Sequence, residues 1–323
     1  MNKFIRLTGA IALIAFSLAS AAQEASWPTK PVRLLIPSTP GGGTDYIGRT
    51  LSTKLADSGW TVVPENRPGA AGTLGLSETV RARPDGYDLV VGQTANVSLA
   101  PWLMKLTFDP AKDLTPIALA VEAPMVLLVN DASPYKSWAD FSKAAKANPD
   151  KPMSFATSGT GSVAHVAGVV VQDASGFKLQ HVPYKGSTPA IADLMGGHVD
   201  LAGTSVASAL PLLQGGKVRA LAVTSLKRSA ALPNVPALSE LGYPNFNMVE
   251  WYGVFAPASI PAATADRINA EINKVLQRAD VKAAILAQGQ EPKSESRASF
   301  AAMVKSDSLR SRDVIAKAGI KLE

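Results

Sequence analysis

The 323-residue chain contains no cysteine. Disulfides, thiol nucleophiles, thiolate metal sites and a lipid anchor on a leading cysteine are therefore excluded. Histidine is scarce too, with only His165, His181 and His198, and none of them has a partner at metal-ligand spacing. The G-x-S-x-G nucleophile elbow, the phosphate-binding G-x-x-x-x-G-K-[ST] loop and a complete dinucleotide fingerprint are missing. No cofactor is expected. An acid pair stays open, because the spatial separation of two carboxylates is not written in a sequence. The formal net charge of +6 is not gathered into any Lys/Arg block, so no nucleic-acid partner is expected. No apolar run beyond the N-terminus is long enough to suggest a membrane span.

The first of the features present is the N-terminus itself. "MNKFIRLTGAIALIAFSLASAAQ" places Lys3 and Arg6 before an apolar stretch from Leu7 to Ala19, then offers Ala19-Ser20-Ala21 as an A-x-A cleavage pattern. This is the layout of a secretory signal peptide over residues 1–21. Its removal lowers the charge from +6 to +4. The product is expected to be exported and soluble. With 46% hydrophobic residues it can build a large core and needs no covalent staples.

Along the remainder, strand-like and helix-like segments alternate. Val32 to Ile36 reads as a strand, and Ile47, Leu51 and Leu55 mark one face of a helix. "WTVVPEN" and 88–92 read as strands, and 74–83 as a helix. Two β-rich runs in "IALAVEAPMVLLVN" are separated by Pro124. A helix capped by Ser137 ends at Asn148-Pro149. Further strand–helix pairs follow to about 223, then a strand in "NMVEWYGVFAP" and a mostly helical last seventy residues. This pattern predicts parallel α/β sheets. A strand, a glycine-rich loop and a helix occur at 32–55 and again at 153–173, which suits two similar domains. Segments near 121–129 and 246–255 are the candidates for strands crossing between them. The expected division is 22–122 with 250–323 for the first domain and 123–249 for the second.

The chemistry is expected at the two loops. In "PSTPGGGTDYIG", Pro40 leads into Gly41, Gly42 and Gly43, which leave no Cβ in the way of an approaching group. The helix that follows, starting near Thr44-Asp45, has N–H groups without intrahelical partners and the positive end of its dipole, which together make an anion site. The alternative is a plain tight turn with Thr44 as the cap. Asp45 suits the helix dipole as a capping acid and is not expected to touch an anionic ligand directly. In the second loop Ser158, Thr160 and Ser162 bring hydroxyls beside Gly159 and Gly161, with Ser162 as N-cap and His165 three residues on. In open α/β sheets ligands sit beyond the carboxyl ends of the strands. By that rule Gln93, Thr94 and Asn96 could line the first side of the same cleft, and Asp200 and Ser205 the other. Tyr184, Lys185 and Gly186 add a third candidate segment, Lys185 as an attractor of anions or as an ordinary solvated lysine. One helix terminus supplies about 0.3–1 kcal/mol and a charged hydrogen bond about 1.5–3 kcal/mol, whereas micromolar binding needs about 8 kcal/mol. Two loops closing on one carboxylate reach that sum more readily than one.

An exported chain with P-G-G-x-x-D after its first strand resembles the Bug family, the substrate-binding proteins of tripartite tricarboxylate transporters. "ENRPGAAGTLG", "RPDGYDLVVG", "SGTGSVAH", "VPYKG" and "DLMGGHVDLAG" resemble that family's segments in the family's order, over essentially all of the chain after the signal peptide. The resemblance implies a type II periplasmic binding-protein fold, with two α/β domains closing on a small carboxylated acid, often through bridging waters. It implies contacts at Gly41 to Asp45 and Ser158 to His165, no catalysis, and transporter subunits in the membrane as partners. One departure is that many members have an aromatic residue and a proline where this chain has Ser38 and Thr39, which predicts a more polar mouth. The rival readings are a ligand sensor working through a membrane signalling partner and a secreted hydrolase or isomerase, for which His165 beside Ser162 is the single hint.

Overall fold

A computed structural model describes residues 27–320, so the expected signal peptide lies outside the described residues. The chain first winds through β1 (Val32–Ile36), α1 (Gly43–Leu55), β2 (Val62–Asn66), α2 (Thr73–Val80) and β3 (Asp88–Gln93). β1 lies parallel to both β2 and β3. Four of its five residues are buried, as expected for a strand covered by helices on both faces. α1 buries Ile47, Leu51 and Leu55. Gly48 brings this helix close to the sheet, since a Cβ there would meet Ile36 Cδ1 at 2.6 Å. A π-helical turn (Thr94–Leu99) and the short helices α3 (Ala100–Leu103) and α4 (Pro110–Asp113) lead to β4 (Leu114–Asn130).

β4 corrects one expectation, because Pro124 does not divide it. Up to Pro124 the strand pairs with the later strand β9 (Val249–Pro257), and from Met125 it pairs with β7 (Leu201–Ser205) and β8 (Val218–Val223). The proline falls at the change of partner, where a missing N–H interrupts neither ladder. The second winding comprises α5 (Trp138–Ala147), β5 (Met153–Thr157), α6 (Val163–Ser175), β6 (Leu179–Pro183), α7 (Ser187–Met195), then β7, α8 (Val206–Gln214) and β8. After β9 come α9 (Ala262–Gln277), α10 (Ala279–Ala287), the two-residue strand β10 (Glu291–Pro292) and α11 (Arg297–Ala318). β10, which pairs with β4, has no counterpart in the helical reading of the C-terminal region.

Two similar arrays result. One runs β2-β1-β3-β9-β4 and the other β6-β5-β7-β4-β8, each with one antiparallel strand inserted after three parallel ones. β4 belongs to both. Beside the partner switch, buried Thr224 ties the passing segments together: its Oγ1 donates to Met248 O at 2.6 Å, and it accepts from Met125 N at 3.2 Å. The hydrophobic core divides accordingly. Ile47, Leu51, Ile268 and Ile272 pack on the first array, and Phe141, Phe155, Val166 and Phe177 on the second. α11 spans both. Phe300 and Val304 pack with Trp251 and Phe255, whereas Ile315 joins the cluster around Phe177, and Lys317 Nζ lies 2.8 Å from Asp173.

Candidate ligand-binding cleft

The β1–α1 loop turns on Gly41, whose φ of +93° favours glycine, and the helix starts at Gly43 with extended Gly42 as its N-cap. That is one residue earlier than the Thr44-Asp45 start expected. No side chain caps the helix, so Thr44 is not the cap. Its hydroxyl donates to Gln93 Oε1 in a short hydrogen bond. The first N–H groups of α1 thus remain available to something outside the protein. Asp45 turns away from that role. It is buried and accepts from Gly41 N at 3.0 Å, Arg49 Nε at 3.0 Å and Asn66 Nδ2 at 2.8 Å. Burial works to raise its pKa, but these donors outweigh it and hold the carboxyl below the usual range. Gln93 and Thr94 also brace the site without lining it. The backbone N–H of Gln93 donates to Asn96 Oδ1 at 2.9 Å, and Thr94 Oγ1 accepts from Trp251 N at 2.8 Å.

Gly41, Gly42 and Gly43 form one wall of a cavity of about 360 Å³. The facing wall is the start of α8, with Ser205, Ala207 and Ser208. Ser205 is its N-cap and accepts from Ser208 N at 3.2 Å. Val206 and Ala207 are left as the free donors of that first turn. The remaining lining comes from Tyr46, Ala123 on β4, Glu250 and Tyr252 on β9, and Gln288–Gln290 after α10. The walls meet closely at two glycines. A Cβ on Gly43 would lie 2.8 Å from Tyr252 Oη, and one on Gly289 would lie 3.0 Å from Ala207 N. Two helix N-termini therefore approach one another across the cavity.

The second loop is built as the sequence suggests, but it faces elsewhere. Ser162 caps α6 by accepting from His165 N at 3.2 Å, and Gly159 and Gly161 have positive φ. Thr160 and His165 line a different, open hollow of about 720 Å³ between α6 and the end of α11, and Ser158 to Ser162 do not line the cavity at Gly43. They stand on the same sheet edge as Ser205, because β5 and β7 are parallel neighbours. His165 stacks on His181 with ring centroids 3.6 Å apart. Its Nδ1 accepts from Gly161 N at 3.1 Å, and Thr157 Oγ1 contacts His181 Nε2 at 2.7 Å. Burial, then the neighbouring ring, pushes the His165 pKa down to about 4, and burial lowers that of His181. Both rings are neutral at neutral pH.

Tyr184 Oη donates to Asp193 at 2.5 Å, Lys185 is exposed, and Gly186 has a φ of +111° beside Ser158, to whose carbonyl it donates at 3.2 Å. None of the three lines the cavity. Asp200 is a correction. It precedes β7 instead of ending it, at the edge opposite Ser205, and accepts from Ser154 N and Oγ at 2.8 and 2.7 Å. Pro40 is exposed and does not line the cavity, whose lining begins at the next residue, Gly41. The sequence reading missed Tyr46, Ala207, Ser208, Glu250, Tyr252 and Gln288–Gln290. Only Glu250 carried a signal, as an acid inside the apolar run "MVEWYGVFA".

The cavity is short of charge. Among the described residues no Lys, Arg or His lines it. Glu250 is partly buried, and burial raises its carboxyl pKa against a hydrogen bond from Tyr252. Burial and the adjacent acid push the Tyr252 phenol well above its ordinary value. Among the described residues no group of three or more His, Asp or Glu side chains is arranged to hold a metal ion, and no helix is long and apolar enough to cross a membrane.

Residues 47–320 match the model of the tripartite tricarboxylate transporter family receptor. The chain belongs to that family. It is 34% identical over 300 residues to BugT of Bordetella pertussis, covering 89% of this chain and 90% of that protein. Among solved structures it superposes on the R. palustris protein Rpa4515 with adipate, at a TM-score of 0.78 and 30% identity over 92% of this chain and all of the other. It also matches the periplasmic binding protein BugD, at a TM-score of 0.73 and 33% identity over 92% of this chain and all of that one. The family receptor thus has the expected fold, that of the Bug-type periplasmic binding proteins, and the resemblance seen in its ordered segments holds. Its family is one of receptors.

Proposed function

We propose that the protein is an exported, periplasmic receptor that captures a small carboxylated organic acid and delivers it to the membrane subunits of a tripartite tricarboxylate-type transporter, without transforming it. The observation that carries this reading is the approach of two uncapped or partly capped helix starts, Gly43 on α1 and Val206 on α8, across one cavity without a lining cation. Main-chain N–H groups and helix dipoles then do the work that Arg or Lys would do elsewhere. Such donors are fixed in place and cost no side-chain entropy on binding. Two domains, 22–122 with 250–323 and 123–249, close on the ligand by flexing where β4 changes partner and Thr224 ties the passing segments. Gly41 to Gly43 and Ser205 make first contact. Ser158, Gly159, Thr160 and Ser162 approach from the same rim when the cleft shuts, and Gln93, Thr94 and Asp45 hold the first wall in shape. The signal peptide over residues 1–21 directs export.

Gly43→Val tests the site. The added side chain would strike Tyr252 Oη and fill the gap between the walls. Calorimetry against a panel of carboxylates is expected to show at least about 100-fold weaker binding, or about 2.7 kcal/mol, by a variant that still folds but melts somewhat lower. Tight ligands lacking any carboxylate would refute the reading.

A further inference from the structure

Glu250 is hard to reconcile with a simple dicarboxylate site. It lines the cavity beside the α1 start, through Tyr252, whose hydroxyl hydrogen-bonds it and would lie 2.8 Å from a Cβ on Gly43. A carboxylate leaving water needs a cation or several donors. This one has a single phenol, and the basic side chains nearby are engaged elsewhere: Lys293 Nζ is 2.8 Å from Glu122 on the adjacent strand, and Arg49 is held by Asp45. A second, independent feature points the same way. Gln290 is 5% exposed, lines the same cavity, and its Oε1 has no hydrogen-bond partner. Buried acceptors without donors are uncommon in folded proteins, and this one borders a cavity with room for a donor from outside the chain. The cavity thus presents donors at the two helix starts, an acid served by a single phenol, Glu250, and one unmet acceptor, Gln290 Oε1.

We propose that Glu250 is the counter-ion for a cationic end of the ligand, so that the cleft selects a small zwitterion, with its carboxylate toward the α1 and α8 starts and its ammonium toward Glu250 and Gln290 Oε1. An ammonium carries three donors and no acceptor, which matches both oxygens. A second carboxylate in that position would meet Glu250 as a like charge in a poorly solvated place. This inference rests on the carboxylate reading above and narrows it.

Calorimetry of the exported protein with two chain-length-matched sets separates the possibilities: succinate, γ-aminobutyrate and putrescine, then adipate, ε-aminocaproate and hexamethylenediamine. In at least one set the amino acid is expected to bind about tenfold or more tighter than the diacid, with the diamine weakest, the factor a single charge-assisted hydrogen bond supplies. Glu250→Gln is expected to weaken the amino acid about tenfold and strengthen the diacid, and Gly43→Val to weaken both. A wild-type preference for the diacids, with or without proton uptake, overturns the proposal, as does a Glu250→Gln variant whose preference is unchanged. The wild-type ratio decides the matter even where that variant fails to fold. A diamine binding as tightly as the amino acid leaves the Glu250 pairing standing and refutes the carboxylate reading instead. No binding in either set overturns both.

Discussion

At the scale of single residues, burial does most to set the chemistry. Asp45 and Glu250 are both acids near the cleft, yet one is held ionised by three sets of donors and the other has one phenol. The difference lies in what surrounds each, and only Asp45 is fully served by its own chain. The stacked histidines give a prediction with a definite sign. A folded-state pKa below the free value means that the unfolded chain binds the proton more readily, so stability falls as pH drops. For His165 the window runs from about 6.5 down to about 4. Melting temperature measured across that range is expected to decline in the wild type. It should decline less steeply in His165→Gln, which removes one titrating ring. Parallel slopes in the two proteins would contradict this.

At the scale of elements, caps and docking contacts decide which segments hold. α5 starts with a reciprocal capping box in which Ser137 accepts from Asp140 N at 3.2 Å and Asp140 accepts from Ser137 N at 2.9 Å. Ser137→Ala is expected to cost about 1 kcal/mol in urea unfolding. α11 is fixed to the sheet by a buried acid, Asp307, which accepts from Trp251 Nε1 at 2.9 Å and pairs with Arg310. Asp307→Ala strands the indole N–H and is expected to cost about 1–3 kcal/mol. Trp251 lies next to Glu250 and Tyr252 on β9, so this variant should also weaken ligand binding. A loss of stability with unchanged affinity would show that α11 supports the fold and not the cleft.

At the scale of the whole molecule, β4 binds the two arrays into one cooperative body. Because its seventeen residues serve both sheets and α11 packs on both cores, neither array can unfold and leave the other intact. Scanning calorimetry is expected to show a single transition, and two resolved transitions would contradict that. A ligand at 100 times its Kd should add about 2.7 kcal/mol to the stability of this one unit.

Local chemistry made much of this legible in the sequence. Val32–Ile36, the apolar face of α1, the caps at Ser137 and Ser162, and the recurrence of strand, glycine loop and helix all follow from patterns of neighbours a few residues apart. So does the first wall of the cleft, since three consecutive glycines at a helix start are a local statement. The opposite wall was not legible. Two glycine-loop helices look alike in sequence, but α6 opens onto an outer hollow and α8, which follows β7 with no glycine loop, faces Gly43. Strand order and the path of β4 decide which helix start crosses the gap, and both depend on contacts such as Met125 with Ser205, between residues far apart in the chain. The same holds for Glu250, Tyr252 and Gln290. Sequence shows that an acid, a phenol and an amide exist, whereas only the packing of β9 and the turn after α10 against two helix termini decides that they share one cavity with no cation among its described lining residues.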